Sequence, residues 1–198
     1  MKKIDPRVKK TRRSLKSAFV ELIGEKGFDA ITIQDISAKA EINRVTFYQH
    51  YQDKYDLLEK TIEDMLQNLI QNVSPESRED LIAKKDEPSV VFLNLFQFVY
   101  DHRIFFTTMF GENGVPTFQY RMSKTVQQFV SETIEELTLT VHERKVPKEI
   151  IVHYVTAASI GLITYWIETD MQYSPRYMAK QLALLEKIGP INAALGTH

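Results

Sequence analysis

A short polar stretch around residue 47 carries the side chains whose types suggest a specific chemistry. Arg44 has a guanidinium group that can donate two hydrogen bonds to O6 and N7 of guanine, and Gln49 can pair with adenine. Thr46, Tyr48 and His50 suit contacts with phosphate oxygens. These residue types predict a surface that reads base edges in the major groove of double-stranded DNA.

The sequence around these residues predicts two short helices joined by a turn of about three residues. Thr32 followed by Asp35 is similar to a capping box, with Asp in place of the usual Glu or Gln, and predicts the start of the first helix. We expect the second helix to run from Arg44 to about Tyr51, with Asn43 as its N-cap. A helix pair held between flanking helices presents its second helix to the major groove.

Basic residues flank this helix pair. Lys54 lies near the start of the following helix, where we expect it to contact a phosphate with support from the positive helix end. Residues 1–60 hold 13 Lys and Arg against 9 Asp and Glu, whereas residues 61–198 hold 12 against 17. A basic end on an acidic remainder favours one phosphate-facing surface, although a solvated, disordered basic tail is the alternative.

The composition is typical of a soluble helical protein. Hydrophobic residues make up 43% of the 198 residues, and only 7 Gly and 7 Pro occur, so we expect an all-α fold. No apolar stretch of signal-peptide length follows the basic N-terminus. Polar residues interrupt the apolar run from Ala157 to Ile167, so we expect no membrane span and a cytoplasmic protein.

No pattern of residues indicates an enzyme. The chain has no cysteine, which excludes a thiol nucleophile, and its five His are scattered, with no second ligand at helical spacing from His50. We find neither a nucleophile triad nor a glycine-rich phosphate loop. We therefore predict no catalytic residues, no metal and no cofactor.

The stretch from Phe28 to Leu58 reads FDAITIQDISAKAEINRVTFYQHYQDKYDLL and resembles the DNA-binding signature of the tetracycline-repressor (TetR) family nearly position by position. Its most specific part is the TFYxHYxxKxxLL core. The resemblance implies that bases are faced by Arg44, Val45, Tyr48 and Gln49. It implies that phosphates are held by Thr32, Thr46, His50 and Lys54, and that the basic N-terminal arm, which includes Arg12, reaches the DNA backbone or the minor groove.

Two positions depart from the family pattern. Glu41 stands in the turn where the family usually has Gly, and a non-Gly residue in the left-handed conformation costs on the order of 1 kcal/mol. Val45 stands where Gly, Ala or Pro is common, and its two methyl groups can contact a thymine methyl. We expect the first departure to leave the fold intact and the second to affect specificity.

Apolar residues recur at helical spacing through most of the chain, which predicts about nine helices. Three belong to a helix-turn-helix DNA-binding head, residues 1–53, and the others to a helical regulatory and dimerisation body, residues 54–198. The helices expected in the body cover residues 54–72, 89–101, 103–111, 117–144, 148–170 and 175–188, with a polar linker over 74–88.

The body is rich in aromatic side chains, and ligand sites are mostly apolar. We predict that a ligand site is formed by Phe92, Phe96, Tyr100, Phe105, Met109, Phe110, Tyr120 and Trp166. A well-filled core would account for the same residues without any ligand, and the sequence leaves both interpretations open.

The stretches Tyr100 to Phe118 and Ser159 to Ala179 are similar to the regulatory domain common in TetR-type proteins of Gram-positive bacteria, including regulators of the dihydroxyacetone-kinase-operon type. The family implies a homodimer formed by the last two long helices. We expect close approach at Ala157, Ala158 and Gly161, with the seam filled by Ile160, Thr164, Tyr177, Met178, Gln181, Leu182 and Leu185.

These patterns together predict a ligand-responsive transcriptional regulator, acting as a repressor. As a dimer it binds a near-palindromic DNA operator and is switched by a small, mostly apolar effector. The alternative is a regulator or activator whose body binds a protein partner instead of a metabolite.

Overall fold

The residues that the structure describes form helices and no strand, so the all-α prediction is confirmed. The computed structural model describes residues 5–77, 87–137 and 145–195. About nine helices were expected, and the described residues contain α1 Pro6–Lys26, α2 Ile33–Lys39, α3 Arg44–Tyr48, α4 Lys54–Val73, α5 Val90–Asp101, α6 Arg103–Phe110, α7 Pro116–Leu137, α8 Lys148–Glu168 and α9 Pro175–Ile188. A short tenth helix, α10 Pro190–Leu195, was not expected.

Parts of two predictions lie outside the described residues. These parts are residues 78–86 of the predicted linker and residues 138–144 at the end of the predicted seventh helix. The basic residues Lys2 and Lys3 lie outside the described residues as well.

The ends of the first helices are set by side chains within a few residues of each terminus. The capping box at α2 is complete: Thr32 Oγ1 accepts a hydrogen bond from Asp35 N, and Asp35 Oδ2 accepts one from Thr32 N at 2.8 Å. Asn43 caps α3 as predicted, because its Oδ1 accepts from Val45 N at 2.8 Å. Gly27 ends α1 with φ 74°, a positive value that glycine adopts without steric cost.

The chain divides into two compact units, and this division differs from the predicted boundary at residue 53. Of the described residues, those up to Met65 and the segment Ile104–Gln119 form the first unit, and Leu66–Arg103 together with the residues from Tyr120 onwards form the second. Compactness does not show which residues bind DNA, so the functional boundary at residue 53 stays a prediction.

The core of the first unit is formed by α1, α2, α3, the first part of α4 and the later segment Ile104–Gln119. Phe19, Ile36, Phe47 and Leu57 are fully buried. The side-chain amide of Asn113 donates to Gly24 O near the end of α1 at 2.9 Å, which links the later segment to the head.

The second unit is built around α9, which packs against both α5 and α8. Trp166 is fully buried there, and its indole N–H donates to Tyr173 O at 2.9 Å. That bond closes the turn between α8 and α9, where Asp170 and Met171 adopt the left-handed conformation with φ 52° and 50°.

Helix α8 departs from the expectation that its apolar run is too short for a membrane span. Among the described residues it is long and apolar enough for one by length and composition. A core helix of a soluble protein passes the same test, so the property is weak support for a membrane. Only 33% of its most apolar window is buried, so much of the apolar surface of α8 is exposed in the part of the chain that the structure describes.

Candidate nucleic-acid interface

Helix α3 has only five residues, so its position depends on the groups that hold its two ends and its inner side. An isolated helix of this length is not stable in water. Phe47 is 0% exposed and anchors the inner side, where its ring lies 5.8 Å from the ring of Tyr51. The amides of His50 and Tyr51 both donate to Phe47 O, which fixes the residues that follow the helix.

The turn between α2 and α3 sets the angle between these two helices. Ile42 N donates to Ser37 O at 2.9 Å across the turn. Glu41 has φ 55°, so the left-handed residue expected at this position is confirmed, without the glycine that is usual there.

The outward side of α3 carries the side chains predicted to read bases. Val45 is 68% exposed and Tyr48 is 53% exposed, and Arg44 and Gln49 are exposed beside them. Their donors and methyl groups therefore face solvent while Phe47 faces the core. This arrangement supplies the hydrogen-bond donors and the apolar contact that base recognition requires, and the individual contacts stay predictions.

Arg12 on α1 lies close enough to His50, which follows α3, to act on the imidazole electrostatically. Partial burial lowers the pKa of the His50 imidazole, and the nearby Arg12 guanidinium lowers that pKa further. Burial raises the pKa of Tyr51 to about 12, although Arg12 acts in the opposite direction. Arg12 is exposed, and Thr46 and His50 are half-buried, so each can present a polar group to a phosphate.

Thr32 is exposed, but its hydroxyl group already has two partners. It donates to Asp35 Oδ2 at 2.7 Å and accepts from Asp35 N at 3.2 Å. Lys26 approaches the same carboxylate at 2.8 Å, and these bonds, with that of Lys26 the strongest, hold the pKa of Asp35 well below its usual range. In this conformation the Thr32 side chain caps the start of α2, and the Thr32 backbone N–H donates to the Asp35 carboxylate.

Lys54, which was predicted to contact a phosphate, has carbonyl partners within the protein. Its ammonium group donates to three backbone carbonyl oxygens of the segment between α1 and α2, those of Phe28, Asp29 and Ile31. An ammonium group has three N–H donors, and all three are used. Sequence patterns could not show this, because the partners lie 23 to 26 residues earlier in the chain.

The structure divides the predicted ligand-binding residues between the two units. In the second unit Phe96 and Trp166 are fully buried with ring centroids 5.5 Å apart, and Tyr100 is exposed and stacks on Trp166 at 6.2 Å. Phe92 on the same helix is half-buried, and Tyr120 is exposed.

The remaining three predicted residues lie in the first unit. Phe105 and Met109 are buried there and Phe110 is half-buried, around the fully buried Phe118, which the sequence interpretation did not single out. Close ring contacts of this kind favour the well-filled core for Phe105 and Phe110.

A polar groove between α7 and α8, which the sequence did not indicate, has a volume of about 460 Å³. Its lining includes Lys124, Gln127 and His153, and the Gln127 side-chain amide lies 3.0 Å from His153 Nε2. No local pattern marks such a groove, because it exists only where two distant helices pack together. Among the described residues no cluster of His, Cys, Asp and Glu is arranged to hold a metal ion.

Comparison with known protein families gives matches in both parts of the chain. Residues 17–61 match the family described as bacterial regulatory proteins, tetR family, and residues 86–186 match the TetR-type transcriptional regulator C-terminal region. The chain belongs to the TetR family of bacterial transcriptional regulators, whose members and relatives act as regulators and not as enzymes.

Among the curated relatives is the HTH-type transcriptional regulator YxbF of Bacillus subtilis (strain 168), with 30% identity over 181 residues, 91% of this chain. The chain spans about half of that protein, 45% of its length.

Solved structures with the same fold include the dihydroxyacetone kinase operon activator DhaS, with a TM-score of 0.64 and 21% identity over 88% of this chain and 93% of that one. FadR from Bacillus subtilis in complex with stearoyl-CoA has a TM-score of 0.66 and 15% identity over 89% of this chain and 98% of that one. Both likenesses show the fold alone.

Proposed function

We propose that this regulator binds a near-palindromic double-stranded DNA operator as a homodimer in the cytoplasm and represses transcription until an effector releases it. The observation that carries the proposal is the outward side of α3, where Arg44, Val45, Tyr48 and Gln49 are exposed above a fully buried Phe47. Arg12 and His50 supply phosphate contacts beside them.

The surface of α8 supports the homodimer. Its exposed residues include Ile150, Tyr154, Ala157, Gly161 and Tyr165, spaced by three or four positions along the helix, which places them on one side. A Cβ atom added at Gly161 would meet nothing within 4 Å, so a second helix can approach closely there. On α9, Tyr177 and Leu184 are exposed and extend the apolar surface.

Two residues predicted for the dimer seam have another role. Met178 and Leu182 are buried within a single chain, at 3% and 1% exposure, in the unit where α9 packs against α5. A side chain already buried in the protomer core contributes little to a contact between copies, so we propose that the seam is formed by other residues. The exposed Ile150 and Tyr154 are better candidates.

Two-fold symmetry then relates the two α3 helices to an operator. A dimer of helix-turn-helix heads places its reading helices about one DNA turn apart or a multiple of it, so half-sites of inverted sequence follow.

For the effector we propose a small, mostly apolar molecule bound by the aromatic residues of the second unit, Phe92, Phe96, Tyr100, Tyr120 and Trp166. The shared fold of the stearoyl-CoA complex of FadR supports this class of ligand. Since Trp166 is the only tryptophan of the chain, its fluorescence reports directly on binding. Titration with stearoyl-CoA, with coenzyme A alone as the control, tests the proposal together with release of operator DNA.

The alternative is a body that binds a protein partner. A pull-down that recovers one stoichiometric partner only when α5 to α9 are intact, with no fluorescence response to acyl-CoA, would favour that alternative.

DNA binding is tested by fluorescence anisotropy on the intergenic DNA upstream of the gene, at several salt concentrations. We expect Arg44→Ala to weaken operator binding by roughly 1–3 kcal/mol, because the variant cannot form the bidentate hydrogen bonds to a base. Arg103→Ala is the matched control, since Arg103 is also exposed but lies on α6. Equal, weak binding of wild type and both variants to any DNA would contradict the proposed reading helix.

A further inference from the structure

The first residue of α4, Lys54, is a lysine where helices usually favour an acidic residue. The N-terminal end of a helix carries partial positive charge, so a cation in the first turn is unfavourable unless other groups compensate it. Asp53 supplies part of the compensation, since its Oδ1 accepts from Asp56 N at 2.8 Å and caps the helix. The other compensating groups are the hydrogen-bond and ring partners of the Lys54 ammonium group itself.

The Lys54 ammonium group lies in a cage of carbonyl oxygens and aromatic rings. Its Nζ donates to Phe28 O at 3.1 Å, to Asp29 O at 3.0 Å and to Ile31 O at 3.0 Å. The same nitrogen lies 4.7 Å from the centroid of the Phe28 ring and 5.7 Å from that of Tyr55. Charge-assisted hydrogen bonds and cation–π contacts both stabilise a lysine in such a place.

The cage is attached to the core of the head. The Phe28 ring makes edge contacts with Phe19 at 6.1 Å and with Tyr55 at 5.2 Å, and Phe19 is fully buried. The segment 28–31 therefore cannot shift relative to α4 without breaking three hydrogen bonds and separating packed rings.

Residues 28–31 lead directly into α2 and, through α2, into the proposed DNA-reading helix α3. Ile31 precedes Thr32, the N-cap of α2, and α2 connects through the Glu41 turn to α3. A tie between the start of α4 and residues 28–31 thus sets where α2 begins, and through α2 where the exposed side of α3 points.

We propose that Lys54 is a positioning residue for operator reading, which ties the start of α4 to the segment before α2, and that it is not a phosphate contact. A phosphate contact would require the ammonium group to give up carbonyl partners that already use all its donors. The proposal rests on operator binding as the proposed function, but its central claim concerns contacts made in the absence of DNA.

The salt dependence of DNA binding separates positioning from phosphate contact. Removing one phosphate contact reduces the steepness of log K against log salt by about 0.9. We expect Lys54→Met to leave the slope unchanged, to lower Tm by roughly 4 °C, and to reduce the ratio of operator to scrambled-DNA affinity about tenfold at a temperature where the variant is fully folded.

Three further variants serve as controls for Lys54→Met. Lys60→Met removes an exposed ammonium group from the same helix, where it pairs with Asp56, and we expect little change in the affinity ratio. Arg12→Gln removes a predicted phosphate contact and is expected to make the slope less steep. Lys54→Arg keeps the charge, but a planar guanidinium cannot reproduce three convergent bonds, so we expect it not to restore the affinity ratio. A less steep slope in Lys54→Met that Lys54→Arg restores would overturn the proposal.

A measurement on the wild-type protein does not depend on whether variants fold or DNA binds. Under reductive methylation of the free protein, followed by mass spectrometry, we expect Lys54 to react at least tenfold more slowly than Lys60, with or without operator DNA. Rapid reaction of Lys54 in the free protein with protection only on the operator would show a phosphate-binding lysine and overturn the proposal. Slow labelling of Lys54 in a protein that binds no operator would support the contacts around Lys54 and would contradict the proposed function instead.

Discussion

Helices α3 and α8 expose surfaces of opposite chemistry. Helix α3 has five residues, of which only Phe47 is buried, and its outward side offers the hydrogen-bonding groups of Arg44, Tyr48 and Gln49. Helix α8 has 21 residues and is apolar nearly all round, and it leaves Ile150 and Tyr154 exposed.

The contrast shows how an exposed surface indicates the kind of partner it suits. Exposed donors stay hydrated in the free protein and exchange water for base edges and phosphates on binding. Exposed apolar side chains gain free energy only when another apolar surface covers them. The surface of α3 therefore suits DNA, and that of α8 suits a second protein chain.

The largest expected effect follows from how little holds α3. We expect Phe47→Ala to lower the free energy of unfolding by about 3–5 kcal/mol, as for other buried phenylalanines, and to abolish operator binding. Urea denaturation followed by circular dichroism measures the loss. Val45→Ala on the exposed side is the control and is expected to leave stability within about 0.5 kcal/mol. A stable Phe47→Ala variant that still reads the operator would show that α3 has another support.

The next prediction tests the apolar side of α8. Because nothing lies within 4 Å of a Cβ at Gly161 in a single chain, Gly161→Glu is expected to fold normally. In a dimer it brings two carboxylates into an apolar contact, which we expect to weaken association by about 2–5 kcal/mol. Sedimentation velocity measures the shift from dimer to monomer, and anisotropy measures the accompanying loss of operator affinity.

Gln119→Glu, which adds the same charge at an exposed position of α7, is the control for that experiment. A Gly161→Glu protein that sediments as a dimer would place the interface elsewhere than on this side of α8.

The smallest expected effect concerns the turn that leads into α3. Glu41 has φ 55°, so Glu41→Gly relieves left-handed strain, while the greater freedom of glycine in the unfolded chain offsets part of the gain. We expect a net stabilisation of up to about 1 kcal/mol, measured as a rise in Tm, with unchanged operator specificity. Glu41→Ala keeps the strain and is the control, so an equal rise in Tm for both variants would show that the glutamate side chain was the cause.

Local features of the head were predictable because each depends on residues a few positions apart. The capping box of Thr32 and Asp35, the Asn43 cap and the left-handed Glu41 were all expected and are present. The motif from Phe28 to Leu58 likewise identified the family, which both family matches confirm.

Features that depend on distant residues were not predictable in the same way. The motif implies a phosphate contact for Lys54, and it does not reveal the carbonyl partners of this side chain in residues 28–31, which precede α2 in the sequence. The apolar spacing of α9 did not show that Met178 and Leu182 are buried within their own chain. The aromatic-rich stretch predicts a single ligand site, yet its residues contribute to two compact units.

The sequence by itself determined where most helices begin and end, which family the chain belongs to, and which side chains we expect α3 to present to DNA. Caps, glycines and the spacing of apolar residues act over three or four positions, and the sequence displays those distances directly. Only the tertiary structure decided which polar group is already satisfied and which apolar side is left open, since both depend on packing between segments far apart in the chain.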